Sequence, residues 1–123
     1  PVFYLQYAHA RVCNIIKRGE AFESPLNPEC DLSLLDKEIE HQLIQKLSEF
    51  PEVIERAHIS LEPQMVANYL HELAMIFHRY YAQEKVVTDD KALTAARLIL
   101  VEATRIVFLN GLTILGISAP KKM

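Results

Sequence analysis

Apolar residues recur every three or four positions in one segment after another of this chain, and that period restricts its fold more than any other feature. Leu35, Ile39, Leu43, Leu47 and Phe50 form one series. Val66, Leu70, Leu73 and Phe77 form a second, and Leu93, Ala96, Leu100, Ala103 (or Thr104) and Val107 a third. At 3.6 residues per turn each series lines one side of a helix. No useful stretch alternates apolar and polar residues as a half-buried strand would, and the chain holds only three glycines in 123 residues. Half the residues are apolar and 24% are charged, so the chain can bury a core. The expected fold is all-α, a single domain over residues 1–123 built as a bundle of five or six helices with short connections.

Local signals divide the chain. A first helix is expected over Val2–Arg18, with Gly19 as its C-terminal stop. Glu20 to Asp31 contains Pro25 and Pro28 and reads as a loop. Asp31 or Ser33 is expected to cap the second helix, and Ser33 followed by Asp36 fits a capping pattern. Pro51 breaks that helix and starts a short third one to about His58. Pro63 suits the first position of a fourth helix, running to about Ala82. Thr88 is the expected cap of the fifth, with Asp89 and Asp90 favoured at its N-terminus by the helix dipole. Asn110-Gly111 should end it, Leu112 to Leu115 adding a further short helical turn. The start at Pro1, without Met, reads as a piece cut from a longer protein.

No apolar run approaches the roughly 20 residues of a membrane span. No signal peptide is visible. Cys13 and Cys30 lack metal-type spacing and read as reduced thiols of a cytoplasmic protein. The net charge of −3 argues against binding a polyanion by charge alone. Its distribution is uneven. Residues 20–62 hold 11 acidic and 3 basic side chains, and the rest 5 acidic and 10 basic. A polyanion should meet the first helix, the region of Arg79 and Lys85, or the Lys121-Lys122 tail, unless these are ordinary solvated charges.

The first helix carries the most suggestive row. At 100° per residue Tyr4, Tyr7 and Arg11 lie within roughly 60° of one another. The apolar stripe Leu5, Ala8, Val12, Ile15 and Ile16 is centred roughly 100° further round. The helix can bury the stripe and keep two rings and a guanidinium beside it. Such a row suits unstacked bases and phosphate; taken singly, each tyrosine reads first as core packing, and only together with Arg11 on one face does a binding role draw level. Phe77-His78-Arg79-Tyr80-Tyr81 is a second aromatic and basic cluster, in which one tyrosine should pack inside and the other lie at the helix end.

Other constellations carry less. His71-Glu72-Leu73-Ala74-Met75 begins like a zinc-protease motif but has Met where the second histidine belongs, so His71 and His78 read as border residues of a packed helix. Glu38, Glu40, Asp89 and Asp90 read as helix-start capping and a solvated acidic face rather than acid–base pairs. No phosphate-binding glycine loop, nucleophile elbow or Cys-x-x-Cys occurs.

Several blocks, in order, carry a family resemblance: Phe3-Tyr4-Leu5-Gln6-Tyr7-Ala8-His9-Ala10-Arg11, Glu49-Phe50-Pro51-Glu52-Val53, Asn68 to Ala74, Ala95 to Arg105, and Asn110 to Met123. Together they resemble the C-terminal anticodon-binding domain (DALR type) of arginyl-tRNA synthetase over nearly the whole chain. The resemblance implies an all-α bundle that packs on its own class I catalytic domain and receives the anticodon loop of tRNA(Arg), with no DNA or membrane partner. The class I motifs of HIGH and KMSKS type are absent. The resemblance therefore implies no catalytic site, cofactor or metal in this chain, and ATP with Mg in the parent's catalytic domain. It assigns tRNA contacts to Tyr4, Tyr7, Arg11, Tyr81 and Met123. One of the first two tyrosines would stack on a splayed base, Arg11 would hold a phosphate or base edge, and Met123 with its terminal carboxylate would line the base pocket. Gln6 and His9 belong to the motif without an assigned contact. The alternative is a helical protein–protein interaction module, with an apolar docking patch near Phe3, Ile114 and Ile117.

Overall fold

Five α-helices and one short 3-10 turn account for most of the chain in a computed structural model that describes residues 2–123. The helices are α1 (Val2–Ala21), α2 (Glu38–Ser48), α3 (Phe50–Ser60), α4 (Gln64–Gln83) and α5 (Lys91–Ile114), and the 3-10 turn spans Leu32–Leu34. The most extensive packing is α1 on α5; α2 and α3 both lie on α4. The expected stripes form one core. Leu35, Ile39, Leu43, Val66, Leu70, Leu73, Phe77, Ala96 and Leu100 are buried, and Leu47, Phe50 and Val107 pack against them half-buried. On α5 the burial extends well beyond one stripe, to Leu98, Val101, Phe108 and Leu112.

The ends of the helices depart from expectation, and tertiary contacts are the reason. Gly19 does not stop α1, which continues to Ala21. A Cβ there would lie 2.8 Å from Leu98 Cδ1 and 3.1 Å from the Ser24 carbonyl oxygen. The glycine lets the following loop fold back, with Ser24 N–H donating to the Gly19 carbonyl at 2.8 Å. Gly111 likewise lies inside α5, where a Cβ would come 2.8 Å from both methyls of the buried Leu70. The expected extra turn after it is the continuous end of α5.

The glycine that terminates α5 is Gly116, at φ +72°. Its N–H reaches the Thr113 carbonyl at 3.0 Å and the Ile117 N–H reaches Leu112 at 2.9 Å, the paired bonds of a Schellman motif. A Cβ on Gly116 would meet nothing within 4 Å. Gly116→Ala should therefore be destabilising through backbone strain alone, by about 1 kcal/mol, read as a lower urea midpoint at unchanged slope.

Two caps also differ. Asp31 caps the 3-10 turn rather than α2: its carboxylate accepts from the Ser33 N–H (3.0 Å) and the Ser33 hydroxyl (2.6 Å). With Ser33 engaged there, the chain turns at Leu35, where the Asp36 N–H donates to the Leu34 carbonyl at 3.0 Å, and α2 begins at Glu38 after an extended Lys37. Asp90, not Thr88, caps α5, accepting from the Leu93 N–H at 3.2 Å. The Thr88 hydroxyl accepts instead from Asp90 N–H and meets the Thr94 hydroxyl at 3.0 Å.

Glu40 corrects the expectation of a solvated acidic face. It is buried, and its Oε2 accepts from Arg97 Nε at 2.9 Å and from the Tyr80 hydroxyl at 2.6 Å. Its Oε1 takes the Lys37 N–H at 3.2 Å. Arg97, also buried, donates further to the Lys85 carbonyl (2.6 Å) and to Glu84 Oε1 (3.1 Å). Burial and the Glu40 hydrogen bond push the Tyr80 hydroxyl far above the ordinary tyrosine range. The pair ties α2 and α4 to α5 beneath the α4–α5 connection.

Candidate functional site

Packing α1 against α4 places the row of Tyr4, Tyr7 and Arg11 beside residues spaced at i, i+7 and i+10 on α4: His71, His78 and Tyr81. Tyr4 is half-buried, with ring centroids 5.1 Å from His71 and 5.6 Å from His78. Tyr7 lies 6.2 Å from His78 and keeps 45% of its surface exposed. Arg11 Nη1 lies 3.0 Å from His78 Nδ1. Arginine can only donate, so Nδ1 accepts and the proton of the neutral ring sits on Nε2. The Arg11 guanidinium lies 4.3 Å from the centre of the Tyr81 ring, a cation–π contact of about 0.5–2 kcal/mol. Arg18 extends the line, its Nη1 donating to the Tyr81 hydroxyl at 3.5 Å.

Four of the five anticipated residues thus share one face. Tyr80 is the tyrosine that packs inside, while Tyr81 is half-buried at the border. Beyond Tyr81 a cleft of about 950 Å³ opens between the end of α1 and the α4–α5 connection, lined among others by Arg18, Phe22, Lys85 and Lys91. The face therefore offers an open tyrosine ring, further N–H donors of Arg11, and several cations, while α2 and α3 belong to the acidic segment. Met123 is exposed and is not gathered into this cluster. Its tail docks on the other flank of the α1 stripe, where Gln6 donates to Ser118 and His9 to Pro120.

His71 and His78 are the residues that sequence reasoning left outside the site. Their seven-residue spacing was visible, but which neighbour they meet depends on how α4 sits on α1. Among the described residues no group of three His, Cys, Asp or Glu is placed to hold a metal. No described helix is long and apolar enough to cross a membrane. Cys13 and Cys30 are free, half-buried thiols.

Burial, then the Arg11 charge, lowers the His78 pKa below 6.5. Burial, with Arg105 and Lys121, lowers that of His9 despite its bond to Pro120. Each ring binds fewer protons folded than unfolded, so stability rises with pH across this range. Their contribution is complete above about pH 6.5 and is lost as pH falls from there toward the lowered folded values. Thermal melts from pH 7.5 to 5 should show a falling midpoint. His78→Asn, which can keep an acceptor near Arg11, should show a shallower fall.

A family model described as the DALR anticodon binding domain matches residues 5–123. The chain belongs to that family. It is 49% identical over 125 residues to an arginine–tRNA ligase of Symbiobacterium thermophilum, and 47% identical over 126 residues to one of Thioalkalivibrio sulfidiphilus. Each alignment takes in the whole chain and 22% of the relative. The arginyl-tRNA synthetase of Thermus thermophilus superposes with a TM-score of 0.86 at 31% identity, over 98% of this chain and 21% of that one. This DALR domain thus spans about a fifth of the length of the relatives it matches, and the all-α expectation holds over its described residues.

Proposed function

We propose that this chain is the C-terminal anticodon-binding domain of an arginine–tRNA ligase, and that Tyr4, Tyr7, Arg11 and Tyr81 receive the anticodon loop of tRNA(Arg). The carrying observation is the convergence of those side chains from α1 and α4 on one face: Tyr7 open for stacking, Arg11 poised over Tyr81 at 4.3 Å. Aromatic faces and a planar guanidinium are the groups that hold splayed single-stranded bases. Met123 is proposed to join from the tail. In the parent protein, proposed to be a cytoplasmic translation enzyme, ATP with Mg would serve arginine activation in a catalytic domain outside these residues.

A second reading, a protein-docking module, draws on a shallow apolar groove between Phe50, Pro51, Ile54, Thr113 and Ile114. Phe3 is strongly exposed, whereas Ile117, expected in such a patch, packs back on the core. The groove fits the same parent protein as a seat for its own catalytic domain. A low-salt titration with tRNA(Arg) and with a transcript changed at the central anticodon base tests the anticodon reading. Preference for the natural anticodon is expected. Absence of binding, with self-association on gel filtration, would favour the docking module.

A further inference from the structure

The segment after α5 is held by two side chains of α1 to which no contact with RNA is attributed. After Gly116 turns the chain, Leu115, Ile117 and Ala119 pack on the core while Gly116 and Ser118 face outward. Gln6 Nε2 donates to the Ser118 carbonyl at 3.0 Å and lies 3.1 Å from its hydroxyl. One helical turn on, His9 is 2% exposed, with Nδ1 2.9 Å from the Pro120 carbonyl. A carbonyl only accepts, so Nδ1 carries the proton. The Cys13 sulfur lies against the same ring, 3.7 Å from Nε2 and 3.8 Å from Nδ1. The surrounding charges are Arg105 on α5, paired with Glu102, and Lys121 of the tail.

We infer that Gln6 and His9 are positioning residues that latch residues 118–120 onto α1, and so set where Lys121, Lys122 and Met123 are presented to the RNA. The inference rests on the anticodon reading for its RNA half and on contacts within the chain for the latch. Reach supports it. Three residues span at most about 10 Å, roughly the diameter of a helix with its side chains. With Pro120 held, Met123 stays within about one helix width of α1 and can approach the Tyr7 flank only across the outer face of that helix. Released, Pro120 and the residues after it are no longer held to α1, although Ile117 stays packed on the core.

Trypsin cleavage after Lys121 tests the latch, because Ala119 and Pro120 must leave α1 to enter the protease. Loss of Lys122-Met123 is followed by mass spectrometry, and affinity for a tRNA(Arg) transcript is measured on the same proteins. His9→Leu is expected to speed cleavage about fivefold and to weaken tRNA binding severalfold. His9→Asn, whose amide N can stand where Nδ1 stood, should restore both. Gln6→Ala, at a half-buried position, makes the same test if His9→Leu does not fold. Unchanged cleavage overturns the latch. Faster cleavage with unchanged tRNA affinity overturns the positioning role. If the parent chain binds no tRNA while cleavage responds as expected, the anticodon reading and the positioning role fall together and the latch stands.

Discussion

Glu40→Ala is expected to destabilise the domain by about 3–5 kcal/mol, the loss seen when one partner of a buried ion pair is removed. Against a total of roughly 5–15 kcal/mol for a domain of this kind, that leaves little margin. The size follows from what is stranded. Arg97 keeps the Lys85 carbonyl and Glu84, but its Nε–H loses its acceptor in a place almost closed to water. The Tyr80 hydroxyl, fully buried, loses its acceptor as well. Chemical denaturation monitored by circular dichroism reads the change. The double variant Glu40→Leu with Arg97→Met should lose less than the sum of the two single variants, because it removes the charges together. Additive losses would mean that the pair does not act as a unit.

The helices were legible because their signal is local and repetitive. Leu70, Leu73 and Phe77 must face one way whatever they pack against. Helix ends were less legible, because glycine has two uses. Gly19 and Gly111 sit where stop signals belong, but each is small because a distant leucine, Leu98 or Leu70, occupies the space of its side chain. Nothing within either helix distinguishes that from a cap. Gly116 is the glycine whose φ of +72° is itself the requirement.

The same boundary runs through the site. Tyr4, Tyr7 and Arg11 fall on one flank by helix geometry alone, and the structure keeps them there. The Tyr80-Tyr81 cluster was visible, but Tyr81 was assigned to the site only through the family resemblance, since its approach to Arg11 depends on how α4 lies along α1. Glu40 was only half legible for a related reason. A carboxylate in the first turn of a helix reads as a cap on a solvated face; its Oε1 does take the Lys37 N–H, but its Oε2 is buried on Arg97, 57 residues away. A single long-range pair leaves no period to read.

Tyr7→Ala and Arg11→Ala should both weaken tRNA binding, and in ways that tell their roles apart. Tyr4 is engaged with His71 and His78, so Tyr7, 45% exposed, is the ring with a face to offer. Removing it should cost about 1–3 kcal/mol, roughly 5- to 150-fold in affinity. The slope of log affinity against log salt should stay unchanged, because stacking releases no counterions. Tyr7→Phe should keep most of the affinity. Arg11→Ala should lower that slope by about 1 if the guanidinium holds a phosphate. It should also release His78 and Tyr81 from the contacts that set them. Arg11→Lys keeps the charge but loses the planar fork, so it should restore the salt slope more fully than the affinity. If both alanine variants bind tRNA(Arg) as the parent does, with melting temperatures unchanged, the α1–α4 face is not where the anticodon is held.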